Sequence, residues 1–242
     1  MTLTDQIKRT INKIPEGKTF RYVDLPIDKE AFVSAAKVLE RLQKDSYIKK
    51  LSKGVFYKPK KTLFGELKPD YSEQLKPFLL EGEKRIGYET GLALYNRLGL
   101  TLQVPFRTKI ATKVRKNSID RGFVKVDFVK SYCEITEDNY QLLGLLDALK
   151  DIKDIPDSTV PNSVSVLSSL LRKLPERELN KIVDYSLNYP ARVKALLGAI
   201  LEEMVVAPKL LRTLRDNVNP FSKITIGVSE RTLPTSKNWN IQ

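Results

Sequence analysis

The chain has 242 residues, with 42 Lys+Arg against 29 Asp+Glu, no histidine and a single cysteine. That length holds one large domain or two small ones with separate cores; the missing histidines exclude histidine-dependent triads and most zinc sites, and Cys133 alone cannot form an internal disulfide. No apolar run approaches the roughly 20 residues a membrane span requires, and the opening MTLTDQIKRT lacks the apolar centre of a signal peptide, so a soluble cytoplasmic protein with no membrane partner is expected.

The positive charge is uneven. Residues 1–61 carry 15 Lys+Arg against 7 Asp+Glu, residues 62–135 carry 13 against 9, and residues 136–242 carry 14 against 13. A basic first quarter is what a phosphate-neutralising module requires, although it also serves solubility.

Along the chain, Thr4 is placed to cap a first helix running to about Ile14, with Ile7, Ile11 and Ile14 on one face, ended by Pro15-Glu16-Gly17. Thr19 to Leu25 fits a brief second helix closed by Pro26. Asp28 is placed to cap a third, whose buried stripe would be Phe32, Ala35, Ala36, Leu39 and Leu42. The period then puts Lys29, Ser34, Lys37, Arg41 and Lys44 on the opposite face. Two strand-forming runs, Tyr47–Leu51 and Val55–Lys58, flank Ser52-Lys53-Gly54 and predict a hairpin bearing Lys49, Lys50 and Lys53. Helices followed by a basic hairpin predict a winged helix-turn-helix over residues 1–61, with Lys29, Ser34, Lys37, Arg41, Lys49, Lys50 and Lys53 as its DNA-binding residues. A solvated edge hairpin, whose lysines discourage aggregation, is the alternative for the wing.

Lys58-Pro59-Lys60-Lys61 reads as a linker to a second domain over residues 62–242. There, Tyr71–Leu80 and Tyr88–Leu98 predict helices, the latter stopped by Gly99. Gln103–Ala111 and Phe123–Lys130 alternate as strands. Between them Lys113, Arg115, Lys116 and Arg121 are positioned to touch nucleic acid or an acidic partner, or simply to solvate a loop. Thr136-Glu137-Asp138 opens a helix to about Lys150 with Leu142, Leu145, Leu146 and Leu149 as its stripe. Four helices follow, at about Asn162–Leu174, Glu176–Leu187, Ala191–Glu203 and Pro208–Asp216, then a strand at Lys223–Val228, with Trp239 as a packing anchor. The fold class expected is therefore α+β: an N-terminal winged helix-turn-helix followed by a mixed α/β and helical C-terminal domain.

Neither GxxxxGK[ST] nor GxGxxG occurs, so Gly87-Tyr88-Glu89-Thr90-Gly91 is read as turn and helix packing and no nucleotide cofactor is expected. No acid-x-lysine follows Pro69-Asp70 or Pro156-Asp157 on an apolar strand, which argues against a metal-dependent nuclease; Asp120, Asp127 and Glu134 are the remaining carboxylate candidates. Cys133, without a histidine and beside Glu134, reads as inert. No catalytic residue, metal or cofactor is expected.

Three segments in order, GVFYKPKKTLFGELKPD, RIGYETGLALYNRLGLTLQVP and LLGLLDALKDIKDIPD, with the closing ITIGVSERTLPTSKNWNI, resemble the AbiEi-type antitoxins, in the branch with a short N-terminal winged helix. The resemblance spans most of residues 1–160, and its central block is the specific part. It implies a bacterial autorepressor that binds double-stranded operator DNA. The C-terminal domain would counter a nucleotidyltransferase-like toxin in an abortive phage infection system, without needing a stable complex. The family's recognition-helix and wing roles fall on Lys29, Ser34, Lys37 and Arg41, and on Lys49, Lys50 and Lys53. The alternatives are a protein-interaction module that binds a toxin or another partner directly, and a nucleic-acid-processing enzyme.

Overall fold

The structure, a computed structural model, describes residues 2–63, 65–114, 116–121 and 124–242, with only the backbone given at 121 and 124. Arg115, expected in the basic loop, Phe123, expected to open a strand, and the Arg121 side chain lie outside the described residues. The fold is α+β. The chain forms two compact units, residues 1–84 with 120–124, and residues 85–119 with 125–242.

In the first unit, helix α1 (Leu3–Lys13) starts earlier than expected. Its cap is Thr2, not Thr4: the Thr2 hydroxyl accepts the Asp5 N–H at 3.2 Å, and the Asp5 carboxylate accepts the Thr2 N–H at 3.2 Å. This reciprocal pair satisfies two amides that a helix leaves unbonded at its start. The brief helix expected at Thr19–Leu25 is instead strand β1 (Thr19–Arg21) and one 3-10 turn, Tyr22–Asp24. Strand formation wins because β1 pairs antiparallel with β3 (Val55–Tyr57), which puts Phe20 into the core 5.9 Å from the Phe56 ring.

Asp28 makes no capping bond. A 3-10 turn, Lys29–Ala31, precedes helix α2 (Phe32–Lys44). Its buried residues are Ala35, Val38, Leu39 and Leu42, whereas Phe32 is 48 % exposed and rests against the Tyr22 ring at 4.8 Å. The stripe is thus rotated from the expected one, with Val38 in and Phe32 out. Strand β2 (Lys49–Ser52) completes the hairpin through Gly54, whose φ of 75° is the left-handed geometry that glycine adopts without a Cβ penalty. The sheet order is β1-β3-β2, and Ile7, Ile11, Phe20, Leu39, Ile48 and Phe56 fill the core between sheet and helices.

The expected boundary at Lys61 falls inside this unit. Lys60 begins a second hairpin, β4 (Lys60–Thr62) with β5 (Gly65–Leu67), followed by helix α3 (Tyr71–Leu79). The cause is a buried side chain: Glu73 of α3 accepts the Thr19 N–H at 3.0 Å, the Thr19 hydroxyl at 3.1 Å and the Lys18 ammonium at 2.8 Å. Burial pushes its carboxyl up, but the Lys18 and Thr19 bonds and the nearby Lys76 charge outweigh this and hold it below its ordinary range. Helix α3 therefore satisfies the outer edge of β1 and belongs with it. Short strands β6 (Leu80–Glu81) and β7 (Lys84–Arg85) follow.

The second unit is built on strands β8 (Gly87–Thr90), β9 (Thr108–Thr112) and, from Lys125 on, β11 (Val124–Lys130), in the order β11-β9-β8; the short strand β10 (Ile119–Arg121) spans the division at residues 119 and 120. Strand β8 is antiparallel to β9, with Thr90 opposite Lys109, and β9 is parallel to β11. The helix expected from Tyr88 is thus a strand and then a short helix, α4 (Leu92–Arg97). Gly91 makes the change of direction: its φ is 64°, and a Cβ there would meet the Lys109 stem at 3.1 Å. The strand expected from Gln103 begins only at Thr108.

Helix α5 (Tyr140–Lys150) starts late because the Thr136 N–H is held by the Asn139 side chain at 2.8 Å in a preceding turn. Every residue from Leu142 to Leu149 is buried, since α5 contacts β8, α7 (Glu176–Ser186) and α8 (Ala191–Glu203). A single apolar stripe was too small an expectation for a central helix. Helices α6 (Val160–Arg172) and α9 (Pro208–Arg215) complete the layer, close to their predicted spans. The strand expected at Lys223–Val228 reduces to one bridge, Ile224 with Ile241. Trp239 is the anchor expected: it is buried against Gly198, with its indole N–H on Glu202 at 2.6 Å.

Candidate functional site

Two regions carry polar chemistry, one in each unit. In the first, Ser34, Lys37 and Arg41 recur at intervals of three and four along α2 and are all exposed, opposite Ala35, Val38, Leu39 and Leu42. Lys29 is exposed in the turn before the helix. Among the described residues no carboxylate lies within 4 Å of the Lys29, Lys37 or Arg41 head groups, whereas Lys44 is tied to Glu40 at 3.3 Å. The face offers a hydroxyl, an ammonium and a guanidinium to an outside acceptor.

The hairpin divides its lysines. Lys50 and Lys53 are exposed, the latter in the turn. Lys49 is not available in the same way: it forms an ion pair with Glu66 of β5, which holds its ammonium above the ordinary range. A domain boundary at Lys61 would set Glu66 apart from the hairpin, but the two lie in one unit. Residues 62–84 add five acids against three cations to the unit, so part of the early charge excess is balanced within it.

The expected loop cations in the second unit are partly engaged. Lys113 pairs with Glu134 at 2.7 Å, and Lys116 lies over the Phe128 ring at 5.6 Å. Asp127 is held by Arg107 at 3.0 Å, which keeps its carboxyl low. Cys133 is buried, and burial pushes its thiol up. Among the described residues no group of three His, Cys, Asp or Glu side chains is arranged to hold a metal ion.

A second polar centre was not anticipated. Asp147, on the buried side of α5, accepts the Thr90 hydroxyl at 2.7 Å, the Tyr88 hydroxyl at 3.0 Å and the Tyr189 hydroxyl at 3.2 Å. Tyr88 and Thr90 share a face of β8 because they are two residues apart. Burial raises the Asp147 carboxyl despite these bonds, and burial with the adjacent carboxylate raises both tyrosines, which remain O–H donors. One turn on, Asp151 accepts the Tyr95 hydroxyl at 2.7 Å and the Lys150 ammonium at 2.6 Å. Thr90, Asp147, Lys150 and Asp151 border a cavity of about 360 Å³ that Lys109 and Lys130 also line. The signal in the sequence was a lone acid within LLGLLDALK, where a charge is buried only if it is partnered.

Residues 6–179 match the model of a protein family described as a family of unknown function, DUF6088. The chain belongs to this family. Among proteins with curated descriptions, none matches the DUF6088 chain significantly. A solved structure similar to it is that of the RV2827C protein from Mycobacterium tuberculosis, at 12% identity and a TM-score of 0.51, covering 90% of this chain and 82% of that one. At that identity the likeness concerns the fold alone. Among the described residues of this DUF6088 member no helix is long and apolar enough to cross a membrane.

Proposed function

We propose that the first unit is a winged helix that binds double-stranded DNA, and that the protein is a non-enzymatic transcriptional autorepressor and antitoxin of the AbiEi kind. The observation that carries the DNA half is the exposed Ser34, Lys37 and Arg41 face of α2, with Lys37 and Arg41 free of carboxylates within 4 Å among the described residues, in the same unit as the exposed Lys50 and Lys53. In this reading α2 enters the major groove, where Arg41 and Lys37 donate to guanine edges and Ser34 and Lys29 to bases or phosphates. Lys50 and Lys53 grip the adjacent backbone. The antitoxin half rests on the sequence resemblance.

The test is fluorescence anisotropy with DNA from upstream of the protein's own reading frame and a scrambled control, over a range of salt. Arg41→Ala should cost about 1–3 kcal/mol on the upstream DNA and little on the scrambled one. Unchanged affinity for both sinks the DNA reading. For the antitoxin half, co-expression with the product of the neighbouring gene should restore growth; persistent toxicity with the full chain present refutes it.

A second reading, direct contact of the second unit with a partner protein, draws support from the loop before β9. Leu102, Val104 and Phe106 are 92 %, 82 % and 79 % exposed there, a concentration of apolar surface beyond scattered single residues. Co-purification of the neighbouring gene product, lost on replacing these three by serine, would favour it.

A further inference from the structure

The first unit contains a cleft of about 530 Å³ between the end of α1, strand β1 and the α3–β6 segment. Its apolar walls are Ile14, Pro15, Pro77 and Leu80. Three cations reach it from three separate elements: Lys13 from the last turn of α1, Arg21 from the end of β1, and Lys76 from the last turn of α3. Among the described residues none of their three charged head groups has a carboxylate within 4 Å. Two further charged residues line it: Lys18, held by Glu73 at 2.8 Å, and Asp24, a carboxylate that accepts the Arg21 backbone N–H at 2.7 Å, so the cations outnumber the acids of the lining.

We propose that this cleft is a binding site for a small organic anion carrying an apolar ring or chain. A solvated helix face would place its charges along one element; here the fold converges them from three, around a concavity. Like charges brought together in this way repel one another, and an anion between them relieves that repulsion. The apolar walls specify the rest of the ligand, since burying a ring against them gains the area that inorganic phosphate alone cannot offer. The volume lies in the range of small-molecule sites, whose few placed polar groups orient a mostly apolar body. A nucleic-acid backbone would use the cations and leave the walls wet. The inference stands on the cleft and does not depend on DNA binding.

Phenyl phosphate is a suitable probe, with inorganic phosphate supplying the anion alone and benzyl alcohol the ring alone. Calorimetric titration of the full chain should show one saturable site for phenyl phosphate, with each comparator about tenfold weaker or more. The Lys13→Gln/Lys76→Gln double variant, changed at two exposed side chains, should still melt cooperatively, with at most a small loss from removing the Lys76 charge near Glu73, and bind phenyl phosphate about tenfold less tightly or worse. Three results overturn the proposal: no saturation by phenyl phosphate, equal affinity for inorganic phosphate, or unchanged affinity in a double variant that melts cooperatively.

Discussion

Replacing Asp147 tests whether the second unit is organised around its buried carboxylate. Asp147→Ala removes the acceptor of three hydroxyls, from Thr90, Tyr88 and Tyr189. A buried donor left without a partner costs about 1–3 kcal/mol. The Tyr189 hydroxyl keeps a longer bond to the Leu143 carbonyl at 3.4 Å, so two hydroxyls bear most of the loss and the expected destabilisation is about 3–5 kcal/mol. Asp147→Asn keeps the shape and one acceptor oxygen while removing the ionisable group, and should cost at most about 1.5 kcal/mol near neutral pH. The two variants also separate in their pH dependence. Burial raises the folded-state carboxyl above its unfolded value, so the folded wild type binds more protons than the unfolded chain, and its stability falls as pH rises from about 4 through the folded value. The asparagine variant lacks this component. The stability of wild type minus that of Asp147→Asn should therefore decline with rising pH, the other carboxylates cancelling in the difference. Urea unfolding followed by fluorescence measures it directly, because the sole tryptophan, Trp239, lies in the same unit. An alanine variant within about 1 kcal/mol of wild type, or a difference that grows with pH, refutes the reasoning.

Glu73→Gln should weaken the first unit by about 1–2 kcal/mol and speed hydrogen exchange at the Thr19 amide. Since the Glu73 carboxyl is held low in the fold, its contribution is full above the unfolded value of about 4.5 and is lost as pH falls below it; a wild-type advantage over Glu73→Gln that persists undiminished in acid would contradict this. Lys49→Ala should leave DNA affinity within about twofold because Glu66 already engages the ammonium, whereas Lys53→Ala should reduce the salt slope by about one unit; equal losses from the two in anisotropy titrations would show that the ion pair does not matter. At Gly198, an added Cβ would stand 2.3 Å from the Trp239 ring, so Gly198→Ala should cost about 1–3 kcal/mol and shift the emission of Trp239 toward the red, while a variant with parental melting and emission would mean that the ring moves aside freely.

Local signals were legible where the responsible forces are local. Ala191–Glu203 and Glu176–Ser186 lie between prolines and carry strong helical patterns, and their spans came out nearly as expected. The hairpin at Gly54 was marked by strand formers around a glycine that takes positive φ. The exposed side of α2 followed from its period, because placing Leu39 and Leu42 inside leaves Lys37 and Arg41 outside. Misread segments have long-range causes. Thr19-Phe20-Arg21 is a strand because Val55–Tyr57 lies beside it, and residues 62–84 join the first unit because Glu73 reaches back to Thr19 across more than fifty positions.

What the sequence determined by itself is therefore the composition of each face: a basic first quarter, an α+β succession of elements, and the side of α2 that meets solvent. Only the tertiary structure decided which of those charges remain available. Lys49 and Lys18 are spoken for by Glu66 and Glu73, Lys13, Arg21 and Lys76 are gathered around one cleft, and Asp147 is enclosed by three hydroxyls. The physical reason is that periodicity reports the burial of one element against an unspecified neighbour, whereas an ion pair or a buried hydrogen bond depends on which neighbour it is.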